Sequence, residues 1–175
     1  MRWLWLVLLT GCGLPVVDGA VPEGTPSVDD PAPVLPTGPW EAEDNDHPRL
    51  ANPLGESLEI GAELHDGDVD CFSVTARAGA FLEADVASAD GCPAEVMIQL
   101  VDPDGDDVAT AWPDPGRGCS RLDPEIHEAA RTLSATGTWT VCVRGLLGAP
   151  VPDYQLWVDI GDPCSDATLA PLAGC

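Results

Sequence analysis

From residue 58 onward the chain alternates apolar and polar positions in short runs. Leu58, Ile60, Ala62 and Leu64 are interleaved with Glu59, Gly61 and Glu63, and Leu82, Ala84 and Val86 with Glu83 and Asp85. Further runs carry Val96, Ile98 and Leu100, then Trp139, Val141 and Val143, then Tyr154, Leu156, Val158 and Ile160. A period of two puts alternate side chains on opposite faces, so each run predicts a strand with one side on a core. Turn-forming groups separate the runs: Arg77-Ala78-Gly79, Asp102-Pro103-Asp104-Gly105, Ala135-Thr136-Gly137 and Leu147-Gly148-Ala149-Pro150. Short strands so spaced predict an all-β chain, an antiparallel β-sandwich of seven to eight strands. Residues 124–133 fit a helix through Ile126, Ala130 and Leu133, but Gly137-Thr138 as a turn favours a strand there.

Residues 66–74 read DGDVDCFSV. Asp66, Asp68 and Asp70 fall at every second position, so an extended backbone presents them on one side, and Phe72 and Val74 continue that side as an apolar face. Cys71 and Ser73 point the other way. The stretch predicts an acidic turn running into a core strand, with a disulfide on its outer face. Upstream, Glu41, Glu43 and Asn45 alternate in the same manner. Calcium takes roughly six to eight oxygen ligands, and the two acidic segments supply that chemistry where they meet. Carboxylates gathered without a cation repel one another and resist ionisation.

The N-terminal part follows another pattern. Arg2 precedes an apolar run from Trp3 to Leu9, too short for a bilayer span of roughly 20 residues but fitting the n- and h-regions of a signal peptide. Leu9-Thr10-Gly11-Cys12 resembles the lipobox of bacterial lipoproteins. The resemblance implies a signal peptide over residues 1–11 and a Cys12 that is diacylated and N-acylated. Its membrane partner would then be reached through a lipid anchor without a span. Gly13, in place of the aspartate of inner-membrane retention, implies an outer-membrane lipoprotein of the cell envelope. Residues 12–40 are rich in proline, glycine and acidic residues and predict an extended stalk.

The 175 residues, less leader and tail, leave room for one domain. Thirty acidic residues against seven basic ones give a formal charge of −23, which disfavours nucleic acid and anionic lipid and suits cations and basic proteins. Seven cysteines indicate an oxidising compartment. Setting Cys12 aside leaves six, and many pairings stay open. Cys71 and Cys142 are both out of phase with core residues, Cys92 and Cys119 both follow a glycine, and Cys164 and Cys175 enclose a short tail over residues 161–175. These contexts favour 71–142, 92–119 and 164–175. There is no CxxC to suggest zinc.

Residues 41–160 resemble the bacterial pre-peptidase C-terminal domain. The carrying motifs are Glu-x-Asn-Asp at 43–46, Gly-Asp-x-Asp-x-Phe at 67–72, Leu-x-Asp-Pro-Asp-Gly at 100–105, Thr-Gly-Thr-Trp-Thr-Val at 136–141 and Tyr-x-Leu-x-Val at 154–158. The resemblance implies a jelly-roll-like sandwich. Through the calcium-binding members attached to secreted collagenases, it also implies metal ligation by Glu41, Glu43, Asn45, Asp46, Asp68 and Asp70. Three features depart from that family: no protease domain is present, the aromatic strip used for collagen is missing (Tyr154 is the sole tyrosine), and six cysteines are added. Residues 102–107 look like a calcium loop, but Asp107 stands where an EF-hand needs glycine and Pro113 where it needs glutamate. They read as a hairpin turn.

Catalytic motifs are missing. His127-Glu128 begins an HExxH, yet Arg131 replaces the second histidine, and there is neither a Gly-x-Ser-x-Gly elbow nor a P-loop. Trp139 is in phase with Val141 and belongs to the core. Trp157 is out of phase with Leu156 and Val158, which puts it on an outer face as a candidate surface for an extracellular protein or polysaccharide. The expectation is a non-catalytic binding or accessory module. The alternatives are a divalent-metal hydrolase on the same carboxylates and a regulator of a secreted peptidase.

Overall fold

The computed structural model describes residues 39–55, 58–88, 91–92, 96–113 and 119–174. The expected signal peptide, Cys12 and the stalk up to residue 38 lie outside them, as does Cys175.

Among the described residues nine strands form two sheets. The five-stranded sheet has the order β1 (Asn52–Pro53), β3 (Val69–Ala76), β8 (Gly137–Gly145), β5 (Val96–Val101), β6 (Asp107–Ala111). The four-stranded sheet has the order β2 (Glu59–Leu64), β9 (Val151–Gly161), β4 (Phe81–Ser88), β7 (Arg121–Leu122). Pairing is antiparallel except where β1 runs parallel to β3. Two strands are only two residues long, and the seven longer ones match the expected sandwich.

The alternation read from the sequence is the alternation in space. Ile60, Ala62, Leu64, Phe72, Val74, Leu82, Ala84, Val86, Ile98, Leu100, Val141 and Leu156 turn inward from both sheets and form one apolar core with Trp139 and Tyr154. The Trp139 indole N–H donates to the Ala135 carbonyl at 3.1 Å, which satisfies its one polar atom. The 102–107 segment closes the β5–β6 hairpin as expected, with Asp102 Oδ1 accepting from the backbone N–H groups of Asp104 and Asp106 at 2.9 Å each.

Two expectations need correction, the strand over residues 124–133 and the placement of Asp66. Residues 124–133 contain a single helical turn, α1 (Glu128–Arg131), and no strand. Asp123 accepts from the His127 N–H, and Arg131 donates to the carbonyls of Pro124 and Glu125. Local groups therefore take up the polar backbone that a sheet would have needed. Leu133 docks the segment, buried and bonded in both directions to Gly79 and Ala80.

Cys71 and Cys142 stand in register on β3 and β8 and are disulfide-bonded, on the outer face as read. Both are buried there: with Val101, and with Ala51 and Val69 packed on them, they form a second small apolar cluster. Cys92 pairs with Cys119. Cys164 is also disulfide-bonded, and its expected partner, Cys175, lies outside the described residues. Trp40 bridges Gly61, and the Gly61 N–H donates to the Pro39 carbonyl at 2.9 Å, so these two residues lie along the edge of β2. Finally, Asp66 does not share a side with its alternating neighbours, because residues 66 and 67 form a turn and Asp66 is exposed there.

Candidate functional site

One end of the sandwich is crossed by residues 41–46. Glu41 is tied to β2: its backbone N–H donates to the Gly61 carbonyl at 3.0 Å, and its Oε1 accepts from the Glu63 N–H at 2.6 Å. Four residues on, the Asn45 carbonyl accepts from the Cys71 N–H of β3 at 3.1 Å. The segment therefore links the edge strand of one sheet to a strand of the other. Asn52 closes it further, its amide both accepting from the Ala42 N–H at 2.6 Å and donating to the Ala42 carbonyl at 2.9 Å.

Beneath the crossing lies Asp70, in phase with Phe72 and therefore turned inward and fully buried. Its Oδ2 accepts from the Tyr154 hydroxyl of β9 at 2.6 Å, while its Oδ1 has no partner. Asn45 is also fully buried. Its Nδ2 donates to Glu41 Oε2 at 3.1 Å, and its Oδ1 is likewise without a partner. Asp68 ends the preceding turn, accepting from the N–H groups of His65 at 3.0 Å and Val69 at 2.8 Å.

The carboxylates fall into two overlapping groups. Oxygens of Glu41, Glu43 and Asp70 lie within 4.8 Å of one another, as do oxygens of Glu43, Asp46 and Asp68, so Glu43 is common to both. All six residues expected as metal ligands are thus brought to one place, five through the carboxylate groups and Asn45 through its bond to Glu41. Asp66 belongs to neither group. Burial is the main reason that Asp70 is pushed up to about 8; the Tyr154 hydrogen bond opposes it, and the charges of Glu41 and Asp68 reinforce it. Glu41 and Glu43 are also raised, chiefly by burial, then for Glu43 by the charge of Asp68. Tyr154 is held well above its ordinary value by burial and by Asp70.

These are hard oxygen donors, and neither group includes a histidine or cysteine. A carboxylate-rich set with an added amide oxygen is the donor chemistry of calcium. The two unpartnered buried oxygens are the test of fit: buried acceptors are ordinarily satisfied, and here both sit in or against the cluster where a cation would satisfy them. Of the histidines only His65 borders the cluster, through its backbone N–H to Asp68, and none belongs to either group. His47 accepts from the Arg49 N–H, His127 Nδ1 meets the Asp123 backbone, and His65 stands 3.7 Å from Glu63.

The expected set did not include Tyr154 in the site. The signal was present: a tyrosine in phase with a core face must find a polar partner for its hydroxyl, and Asp70 was the carboxylate in phase with the facing core. Trp157 emerges on the outer face of the four-stranded sheet as expected, 39% exposed.

The fold and site define an all-β sandwich with a cluster of oxygen donors at one end. No family model matches the chain, and no curated protein matches it. Among solved structures, the pre-peptidase C-terminal domain of a collagenase from Bacillus anthracis is 16% identical with a TM-score of 0.45, covering 62% of this chain and 94% of that one. PliG of Aeromonas hydrophila, a periplasmic lysozyme inhibitor of g-type lysozyme, is 15% identical with a TM-score of 0.44, covering 62% and 93%. PliG of Salmonella Typhimurium is 14% identical with a TM-score of 0.39, covering 62% and 95%. Likeness at this level bears on neither ligand nor activity.

Proposed function

We propose that this chain is a non-catalytic binding or accessory module of the pre-peptidase C-terminal type, stabilised by calcium and held at the cell envelope by a lipid on Cys12. The ion would take oxygens from Glu41, Glu43, Asn45, Asp46, Asp68 and Asp70, with Glu43 shared between the two groups. The observation carrying this reading is the pair of buried oxygens without partners, Asp70 Oδ1 and Asn45 Oδ1, beside carboxylates that burial holds back from ionising. A divalent cation would satisfy both oxygens and offset the mutual repulsion. The disulfides support a place outside the cytoplasm, and an outer-membrane position follows from the lipobox resemblance. The role is passive: the ion ties residues 41–46 across the end of the sandwich, and the outer faces remain for a partner.

Thermal unfolding in calcium, magnesium and chelator tests the ion. At a concentration about a hundredfold above its Kd, calcium should raise the midpoint by roughly 5–10 °C over chelator, and Asp70→Asn or Glu43→Ala should remove the rise. Equal midpoints in all three conditions would leave the cluster without an ion-binding role.

A further inference from the structure

The outer face of the four-stranded sheet has no role in the ion site, and its composition is unusual. In register across it lie Glu59 of β2, Trp157 of β9, Asp85 of β4 and Arg121 of β7. Directly paired strand residues stand about 5 Å apart, so the Trp157 indole has a carboxylate-bearing neighbour on each side. Asp159, two residues on and exposed, shares the face. Trp40, bridged to Gly61 at the sheet edge, is 47% exposed. Arg121 marks one end of the row, ion-paired with Glu83 and, at 3.5 Å, with Asp85; at the other end Glu59 accepts from the Gln155 amide, a neutral donor that leaves its charge unmatched. A guanidinium of the chain itself thus already occupies one position of this surface.

We propose that this face, centred on Trp157, binds a basic segment of a partner protein. A lysine or arginine side chain would lie over the indole, its charge met by Glu59 and Asp85. The inference rests on the reading of the chain as a binding module and names the chemistry of its partner. Tryptophan is the strongest aromatic partner for a cation, and carboxylates on both sides add Coulomb attraction and direct approach. Charge also decides among occupants. Residues 13–38 carry Asp18, Glu23, Asp29 and Asp30 and no lysine or arginine, so that segment holds no basic side chain of the kind this face would take. A second copy would present the same acidic face, and anionic glycans are repelled as well. A neutral polysaccharide would use the indole but leave the flanking charge without purpose.

The test is titration of the full chain with a decalysine peptide and separately with a neutral hexasaccharide, by calorimetry and tryptophan fluorescence, in calcium and in chelator. Trp157→Ala should weaken peptide binding about tenfold, Trp157→Phe less, and Glu59→Gln with Asp85→Asn by a similar factor. Asp104→Asn with Asp106→Asn, an equal charge change on the β5–β6 hairpin of the other sheet, should weaken it less than twofold. If both double variants weaken binding equally and Trp157→Ala changes nothing, the attraction is only net charge and the proposal is overturned. Saccharide binding that depends on Trp157, with none for the peptide, overturns it in favour of a sugar platform. Peptide binding without a calcium-dependent midpoint would defeat the ion site alone, so the two readings fail separately.

Discussion

Without an ion, burial and the charge of Glu41 keep a proton on Asp70 until about pH 8, whereas in the unfolded chain the same carboxyl titrates near 3.8. The folded state therefore binds an extra proton between these values. The stability this contributes is fully present below pH 3.8 and is lost as pH rises through about 8, with a slope of up to about 1.4 kcal/mol per pH unit. Glu41 and Glu43 shift in the same direction. In chelator, urea midpoints should fall from pH 5 to pH 8, and Asp70→Asn should flatten that fall; calcium, which needs the ionised carboxylates, should counter it most at the alkaline end. A midpoint that climbs steadily with pH in chelator would contradict the assignment. The sequence revealed the inward direction of Asp70, since its phase with Phe72 fixes the face. It did not reveal that Asp66 falls out of the set, because a turn at residues 66 and 67 ends the alternation on which that grouping depended.

At the scale of elements, the β8–β9 connection shows a constraint that no alternation carries. Gly145 ends β8 where a Cβ would lie 1.8 Å from the Ala149 carbonyl oxygen. The obstacle is backbone, so Gly145→Ala must displace the turn and should cost about 3 kcal/mol in urea unfolding. Gly148, with φ at +78° and its nearest contact at 3.4 Å, should cost only about 1 kcal/mol as alanine. The long strands were legible because each half-buried strand repeats its period over several residues, as in Leu82, Ala84 and Val86. The 124–133 segment was misread because Gly137-Thr138, taken as a turn, was set above the helical spacing of Ile126, Ala130 and Leu133; Gly137 and Thr138 in fact open β8, and Arg131 reaches two backbone carbonyls of the segment. The outward phase of Cys71 and Cys142 was legible; their burial was not, since Val101 and Ala51, remote in sequence from Cys71, close over the bridge together with Val69.

For the whole molecule, a sandwich was legible in the spacing of short alternating strands, but the order of strands within the two sheets depends on contacts between distant segments that no local pattern carries. The crossing of residues 41–46 from β2 to β3 is such a case: Glu41, Glu43 and Asn45 gave the ligand chemistry, but nothing local placed them over Asp70. The register of Cys71 with Cys142 also bears on how the molecule carries a load. A pulling force applied from the N-terminal side would enter the described fold at Pro39 and Trp40, which hang on the edge of β2, and it can strip that edge one bond at a time. It cannot draw out the chain between the bridged cysteines, a sequence separation of 71 residues. Pulled from its ends, the oxidised protein should fall short of the reduced one by about 240 Å of contour length, so the covalent link sets how far this module can be stretched as well as how firmly it is folded.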